Sequence, residues 1–115
     1  MAAEIFEVRD YHYAGDLAEY RAWWAEALPV LRRSFDIVGV WTDFGEPARI
    51  SGATPMDLPL GSANATWMIR WSDLDGRERA WAELADDEQW KAIAERHPGW
   101  DDYLHMSVRF LEPVG

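Results

Sequence analysis

The sequence predicts an α+β fold, a four-stranded antiparallel sheet with its helices on one face, in the ferredoxin-like order β-α-β-β-α-β. Three observations carry that expectation. Four stretches rich in β-branched and aromatic residues, bounded by turn formers, read as strands. The segments after the first and third of them place apolar residues at helical spacing. Two strands therefore stand together between two helical segments, which is the split arrangement of the ferredoxin-like motif, and its single helical layer leaves the other sheet face open.

The first strand lies in "EIFEVRDYHYAG". Side chains alternate across a strand, so Ile5, Glu7, Arg9, Tyr11 and Tyr13 share one face, and Phe6, Val8, Asp10 and His12 the other. The strand stops at Gly15. Asp16 is a good N-cap for a helix to about Arg33, with Leu17, Tyr20, Trp24, Ala27, Leu28 and Leu31 on its apolar stripe. Pro29 should kink or end that helix locally. "FDIVGVWTDFGE" is the second strand, in which Gly39 marks a bulge or a close backbone approach. The connection over 45–62 holds Pro47, Pro55, Pro59, Gly52 and Gly61, a length and composition typical of lids and arms.

The third strand, "NATWMIRWSDL", puts Trp67, Ile69 and Trp71 on one side, and Asn64, Thr66, Met68 and Arg70 on the other. A helical segment runs from Leu74 to about His97, broken near Ala85 and Asp86. Its apolar positions are Leu74, Trp81, Leu84, Trp90 and Ile93, and Pro98 and Gly99 stop it. The last strand, "YLHMSVRFLEP", has an apolar face of Leu104, Met106, Val108 and Phe110. One helical layer cannot cover two partly apolar sheet faces, so dimerisation through the open sheet face is expected.

A length of 115 residues suits one domain spanning 1–115. The formal charge is −10, from 11 Lys and Arg against 21 Asp and Glu, with no basic cluster. That argues against nucleic acid and against an anionic membrane as partners. Cysteine is absent, which removes disulfides, thiolate nucleophiles and Cys-ligated metals. No apolar run approaches membrane-spanning length and no hydrophobic signal segment is evident, so a cytoplasmic protein is expected. Eight tryptophans are more than a small core needs, and such an excess points to a pocket or an interface.

Several motifs in order resemble the NIPSNAP family. Glu7-x-Arg9-x-Tyr11 followed by Gly15 resembles its opening motif. "VGVWTDFGE", with Gly39, Trp41 and Gly45, resembles its second strand. The spacing from Trp71 to Arg79, then through Asp87 to Trp90, resembles its third-strand and second-helix signature. The likeness spans most of the chain and is interrupted at 45–62. It implies a dimeric α+β barrel, in which two ferredoxin-like sheets pack face to face. The wider superfamily includes cofactor-free monooxygenases, isomerases, cyclases, haem proteins and simple binders. Where the family often has a His two positions before the Trp of strand three, this chain has Ile69.

The candidate catalytic residues are Glu7, Arg9 and Tyr11, with His12 and His105, which the ferredoxin-like order makes neighbours on the first and last strands. Arg9 can pair with Glu7 and still offer donors to a carboxylate, enolate or phenolate oxygen, and Tyr11 or Tyr13 can act as a weak acid. The candidate substrate-binding residues are Tyr13, Trp24, Trp41, Trp67 and Trp71, with Trp41 and Trp71 nearest the ligand. Each has a plainer reading: an intra-sheet ion pair, two histidines at a sheet rim, and tryptophans of core and interface. His97, before Pro98, reads as a cation complementing a helix C-terminus; Arg79 with Glu83 reads as an exposed i,i+4 pair, while the family resemblance equally implies a structural role for Arg79 at the sheet-helix junction. No phosphate loop, G-x-S-x-G elbow or H-E-x-x-H occurs. The expectation is a homodimer that binds, and transforms, a hydrophobic aromatic or carbonyl-bearing metabolite without nucleotide, flavin or other cofactor, and without a metal. The alternatives are an assembly module whose sheet-to-sheet dimer is the function and, third, a haem protein with a histidine axial ligand.

Overall fold

The computed structural model describes residues 4–115. The chain runs β1 (Ile5–Tyr13), α1 (Leu17–Leu31), β2 (Asp36–Thr42), β3 (Ala65–Trp71), α2 (Leu74–Ala85), α3 (Glu88–Glu95), a 3-10 turn at Trp100–Asp102, and β4 (Tyr103–Leu111). The strands form one antiparallel sheet in the order β2-β3-β1-β4, the expected ferredoxin-like arrangement.

Aspartate caps start all three α-helices, each carboxylate accepting from a backbone N–H of the first turn. Asp16 accepts from Glu19 at 2.9 Å, Asp73 from Gly76 at 2.6 Å and Asp87 from Trp90 at 2.9 Å. The Asp87 cap explains the expected break: α2 ends at Ala85 and a new helix begins at Glu88. Pro29 stays inside α1, which ends two residues later at Leu31. The second strand is shorter than its composition suggests, stopping at Thr42.

Register decides what the strand faces meet. Ile5 pairs with Trp71, Glu7 with Ile69, Arg9 with Trp67 and Tyr11 with Ala65, and residues paired across an antiparallel ladder share a face. That face meets the helices. Its core joins Tyr11, Ile37, Trp67, Ile69 and Trp71 to Tyr20, Trp23, Trp24, Ala27 and Leu31 of α1, Leu84 of α2 and Ile93 of α3. Trp23 extends the stripe expected for α1, donating its indole N–H to the Ile93 carbonyl at 2.8 Å. Leu74, expected on an apolar stripe, is exposed in the first turn of α2.

The helices cover the edge strand only in part, chiefly at its start, where Tyr103 bonds Tyr20 of α1. Met106, Val108 and Phe110 pair with Tyr11, Arg9 and Glu7, so the apolar row of β4 lies on the helix side. These residues remain 54%, 39% and 47% exposed. Leu104, at the register irregularity beside Tyr13, is exposed as well. The apolar surface that the last strand contributes is thus an overhang beyond the helices and not part of the open sheet face.

The opposite face carries Phe6, Val8, Asp10 and His12, with Thr66, Met68 and Arg70 of β3 and Trp41 of β2. A bulge falls between Ile37 and Gly39. A Cβ at Gly39 would sit 2.5 Å from the Trp41 ring, so glycine here permits both the bulge and the ring lying against the backbone. Residues 45–62 form an exposed arm without regular structure, whose base is fixed by Asn64. Its side chain exchanges two hydrogen bonds with the Tyr13 backbone, at 2.8 and 2.7 Å. Among the described residues no helix is long and apolar enough to cross a membrane.

Candidate functional site

Glu7 is a fully buried carboxylate, at 0% exposure. Four donor contacts surround it. Arg9 Nη1 is 2.6 Å from Oε2, Arg77 Nε is 2.6 Å from Oε1 with its Nη2 3.3 Å from Oε2, and Trp71 Nε1 donates to Oε1 at 3.0 Å. Burial alone would raise the Glu7 carboxyl, but the hydrogen bonds and charges of Arg77 and Arg9 outweigh it and hold it below the usual carboxylate range. Two guanidinium groups meet the one buried carboxylate, and Arg77 Nη1 also donates to the exposed Glu78 at 2.7 Å, so the charges of the cluster balance.

Arg9 presents its guanidinium to a cavity. Its Nε donates to the Tyr11 hydroxyl at 2.6 Å, and Trp67 Nε1 donates to the same oxygen at 2.8 Å. With both acceptor positions filled, the Tyr11 O–H is left to donate elsewhere. The Arg9 guanidinium lies 5.0 Å from the Trp81 ring centroid and 5.7 Å from those of Tyr11 and Trp67. A cavity of about 260 Å³ opens beside it. Trp23, Trp24, Trp67, Trp81, Trp90 and Trp100 wall it, joined by Tyr11, Tyr103, Leu31 and Met106; among the described residues Arg9 is its one charged lining residue. Among the described residues the buried indole N–H of Trp81 has no partner.

A second polar chain closes the far end. The Gly99 N–H donates to His97 Nδ1 at 2.9 Å, which puts the imidazole proton on Nε2, 2.9 Å from the Tyr103 hydroxyl. Tyr103 then donates to Tyr20 at 2.9 Å. Burial pushes the Tyr20 phenol up to about 12 and that of Tyr103 higher still. It also pushes His97 down to about 4, against the attraction of Asp102. The imidazole is a neutral core ring stacked 3.9 Å from Trp100, not the cation expected at a helix end.

Between the ordinary histidine value of 6.5 and about 4, the unfolded chain takes up a proton at His97 and the folded chain does not. Stability from this group is whole above 6.5 and falls with pH by up to about 1.4 kcal/mol per unit until about pH 4. Urea midpoints at pH 7 and 4.5 should therefore drop further in the wild type than in His97→Gln. Equal drops would mean that His97 is solvated.

The other sequence candidates separate by position. Trp24 and Trp67 line the cavity, while Glu7 and Trp71 stand behind Arg9. Tyr13 is buried, stacked on Tyr20 at 4.2 Å. Trp41 is half-exposed on the opposite face of the sheet, as are His12 and His105, because they are out of phase with Tyr11 and Arg9. The two histidines do meet, with ring centroids 5.6 Å apart, and His12 Nε2 lies 2.9 Å from the Gly61 carbonyl. Among the described residues no group of three His, Cys, Asp or Glu is placed to hold a metal ion, and no histidine lines the cavity as an axial ligand for haem. Arg79 sits by a separate polar groove with Arg70 and Asp36. Arg77, not Arg79, joins helix to sheet, and the sequence reading missed it. A signal existed: Arg77, Trp81 and Leu84 follow i, i+4, i+7, which puts Arg77 on the inward stripe.

In architecture the chain is similar to a NIPSNAP family protein from Agrobacterium tumefaciens, with 20% identity, a TM-score of 0.68, and coverage of 98% of this chain and 88% of that one. It is similar to an uncharacterized NIPSNAP domain protein from Burkholderia xenovorans at 24% identity and TM-score 0.68, covering 95% and 93%. SnoaB, a cofactor-independent oxygenase from Streptomyces nogalater, shares 15% identity at TM-score 0.56, covering 99% and 96%. No family model matches the sequence, and neither does any curated protein.

Proposed function

We propose, from a fold shared with NIPSNAP family proteins, that this chain binds, and transforms, a flat hydrophobic metabolite bearing a carbonyl, enol or phenol oxygen in the cavity between sheet and helices. One observation carries the reading: an aromatic-walled cavity whose single charged lining residue, Arg9, keeps unspent donors. Stacking on indole faces selects the ring, and Arg9 with the Tyr11 hydroxyl receives the oxygen, favouring the ligand in its anionic or enolised form. The glutamate behind fixes the guanidinium, so little reorganisation is needed when charge develops. The likeness to a cofactor-independent oxygenase supports chemistry carried by such orientation, without nucleotide or flavin. The protein acts as a homodimer through the open sheet face, which carries Trp41, Phe6 and Met68.

Native mass spectrometry of gently purified protein, with an absorbance scan of the same sample, tests the reading. The expected result is a dimer carrying the mass of a small aromatic ligand, or one that takes up an aromatic carboxylate or phenol from a panel. A dimer that takes up no member would favour the second reading, a non-catalytic assembly module. The open sheet face, where the half-exposed Trp41 stands with Phe6 and Met68, is the observation that speaks for that alternative.

A further inference from the structure

Besides the open sheet face, a single copy of the chain leaves two apolar surfaces uncovered. The first is β4. Met106 lines the cavity, and Val108 and Phe110 continue its wall outward, with the Arg77 guanidinium 5.1 Å from the Phe110 ring centroid. Over nine residues this edge strand carries one formal charge, Arg109, and no proline. Folded proteins blunt or cover long apolar edges of that kind.

The second is the 45–62 arm and the residue before it. Phe44 is 95% and Met56 78% exposed, and Ile50, Leu58 and Leu60 are exposed with them. The arm is tied to the body at its base, where His12 meets the Gly61 carbonyl and Asp43 N–H bonds the Asn64 carbonyl at 2.9 Å. The radius of gyration is 15.7 Å. A compact chain of this length has about 13 Å, so the arm stands off the body. Three prolines stiffen it, which reduces the entropy lost when it docks. Charge selects where two copies can meet. At a formal charge of −10 they repel, but β4 has no acidic residue and the arm sets two acids against one arginine.

We propose that in a homodimer the arm of each copy lies along β4 of the second copy, seating Met56, Leu58 and Leu60 over Met106, Val108 and Phe110. Each arm then walls the open side of the other copy's aromatic cavity, so the ligand site is complete only in the dimer. This extends the cavity reading, but its test reads cross-linking and not ligand uptake, so the two can fail separately.

The absence of cysteine makes the test clean. Met56→Cys and Val108→Cys, exposed positions on arm and strand, are introduced singly and together, and dilute protein is treated with a short bismaleimide. The expected result is a covalent dimer that requires both cysteines and persists without added ligand. Four results overturn the proposal: an internally cross-linked monomer, in which the arm is a lid on its own chain; a covalent dimer from Met56→Cys alone, in which arms meet each other; one from Val108→Cys alone, in which edge strands meet; or no cross-link. Circular dichroism of each variant, matching the wild type, shows that the fold survived.

Discussion

Glu7→Ala should lower the stability of the fold by about 3–5 kcal/mol, the range for breaking a buried ion pair by removing one partner. The reason is asymmetric. Arg9 and Arg77 are held over Trp81 and at the sheet-helix junction by more than their bonds to Glu7, so deleting the carboxylate leaves two cations and the Trp71 N–H facing an emptied site. The check is urea unfolding: the midpoint falls with an unchanged slope. A loss under about 1 kcal/mol would show that water already shares the cluster, as it does for exposed pairs. Acid adds a second check. The folded carboxyl titrates below its ordinary 4.5, so its stabilisation is whole above 4.5 and is lost as pH falls through the folded value. The gap between wild type and Glu7→Gln should therefore narrow below pH 4.5.

The fold was readable because its signals are local. Asp16, Asp73 and Asp87 cap helices through bonds spanning three residues, and the β1 pattern shows in the alternation of side chains. The row Glu7, Arg9, Tyr11 was legible for the same reason. What it meets was not, since that depends on which sheet face the helices take. Trp41 shows how one residue defeats such reading. By alternation it belongs with Ile37, but the bulge before Gly39 moves every later side chain of β2 to the other face. The histidine pair was placed correctly across β1 and β4, and the same alternation puts it behind the sheet, away from Arg9. His97 looked like a helix-end cation because its partners, Gly99 and Trp100 apart, are distant in sequence or come from the next strand: Trp23, Tyr20 and Tyr103. The arm exchange proposed above has no local signal at all, because a contact between copies leaves no periodicity in the segment that makes it.

Arg9→Ala should separate binding from stability in the opposite way to Glu7→Ala. Glu7 keeps the bidentate Arg77 and the Trp71 N–H when Arg9 is removed, so the carboxylate stays paired and the fold survives. The ligand loses its one cationic partner among the lining residues. A hydrogen bond to a charged group is worth about 1.5–3 kcal/mol, so affinity for an aromatic carboxylate or phenolate should fall roughly 10- to 100-fold. Calorimetric titration gives the number, and a neutral analogue lacking the oxygen supplies the control, since it should bind wild type and variant alike. Arg9→Lys sharpens the argument. It restores a positive charge without the planar fork that holds Tyr11 and Glu7 at once, so it should recover only part of the affinity. Full recovery by lysine would reduce the site to a point charge in an apolar box. Equal losses for the charged ligand and its neutral analogue would mean that Arg9 holds the cavity open and does not read the oxygen.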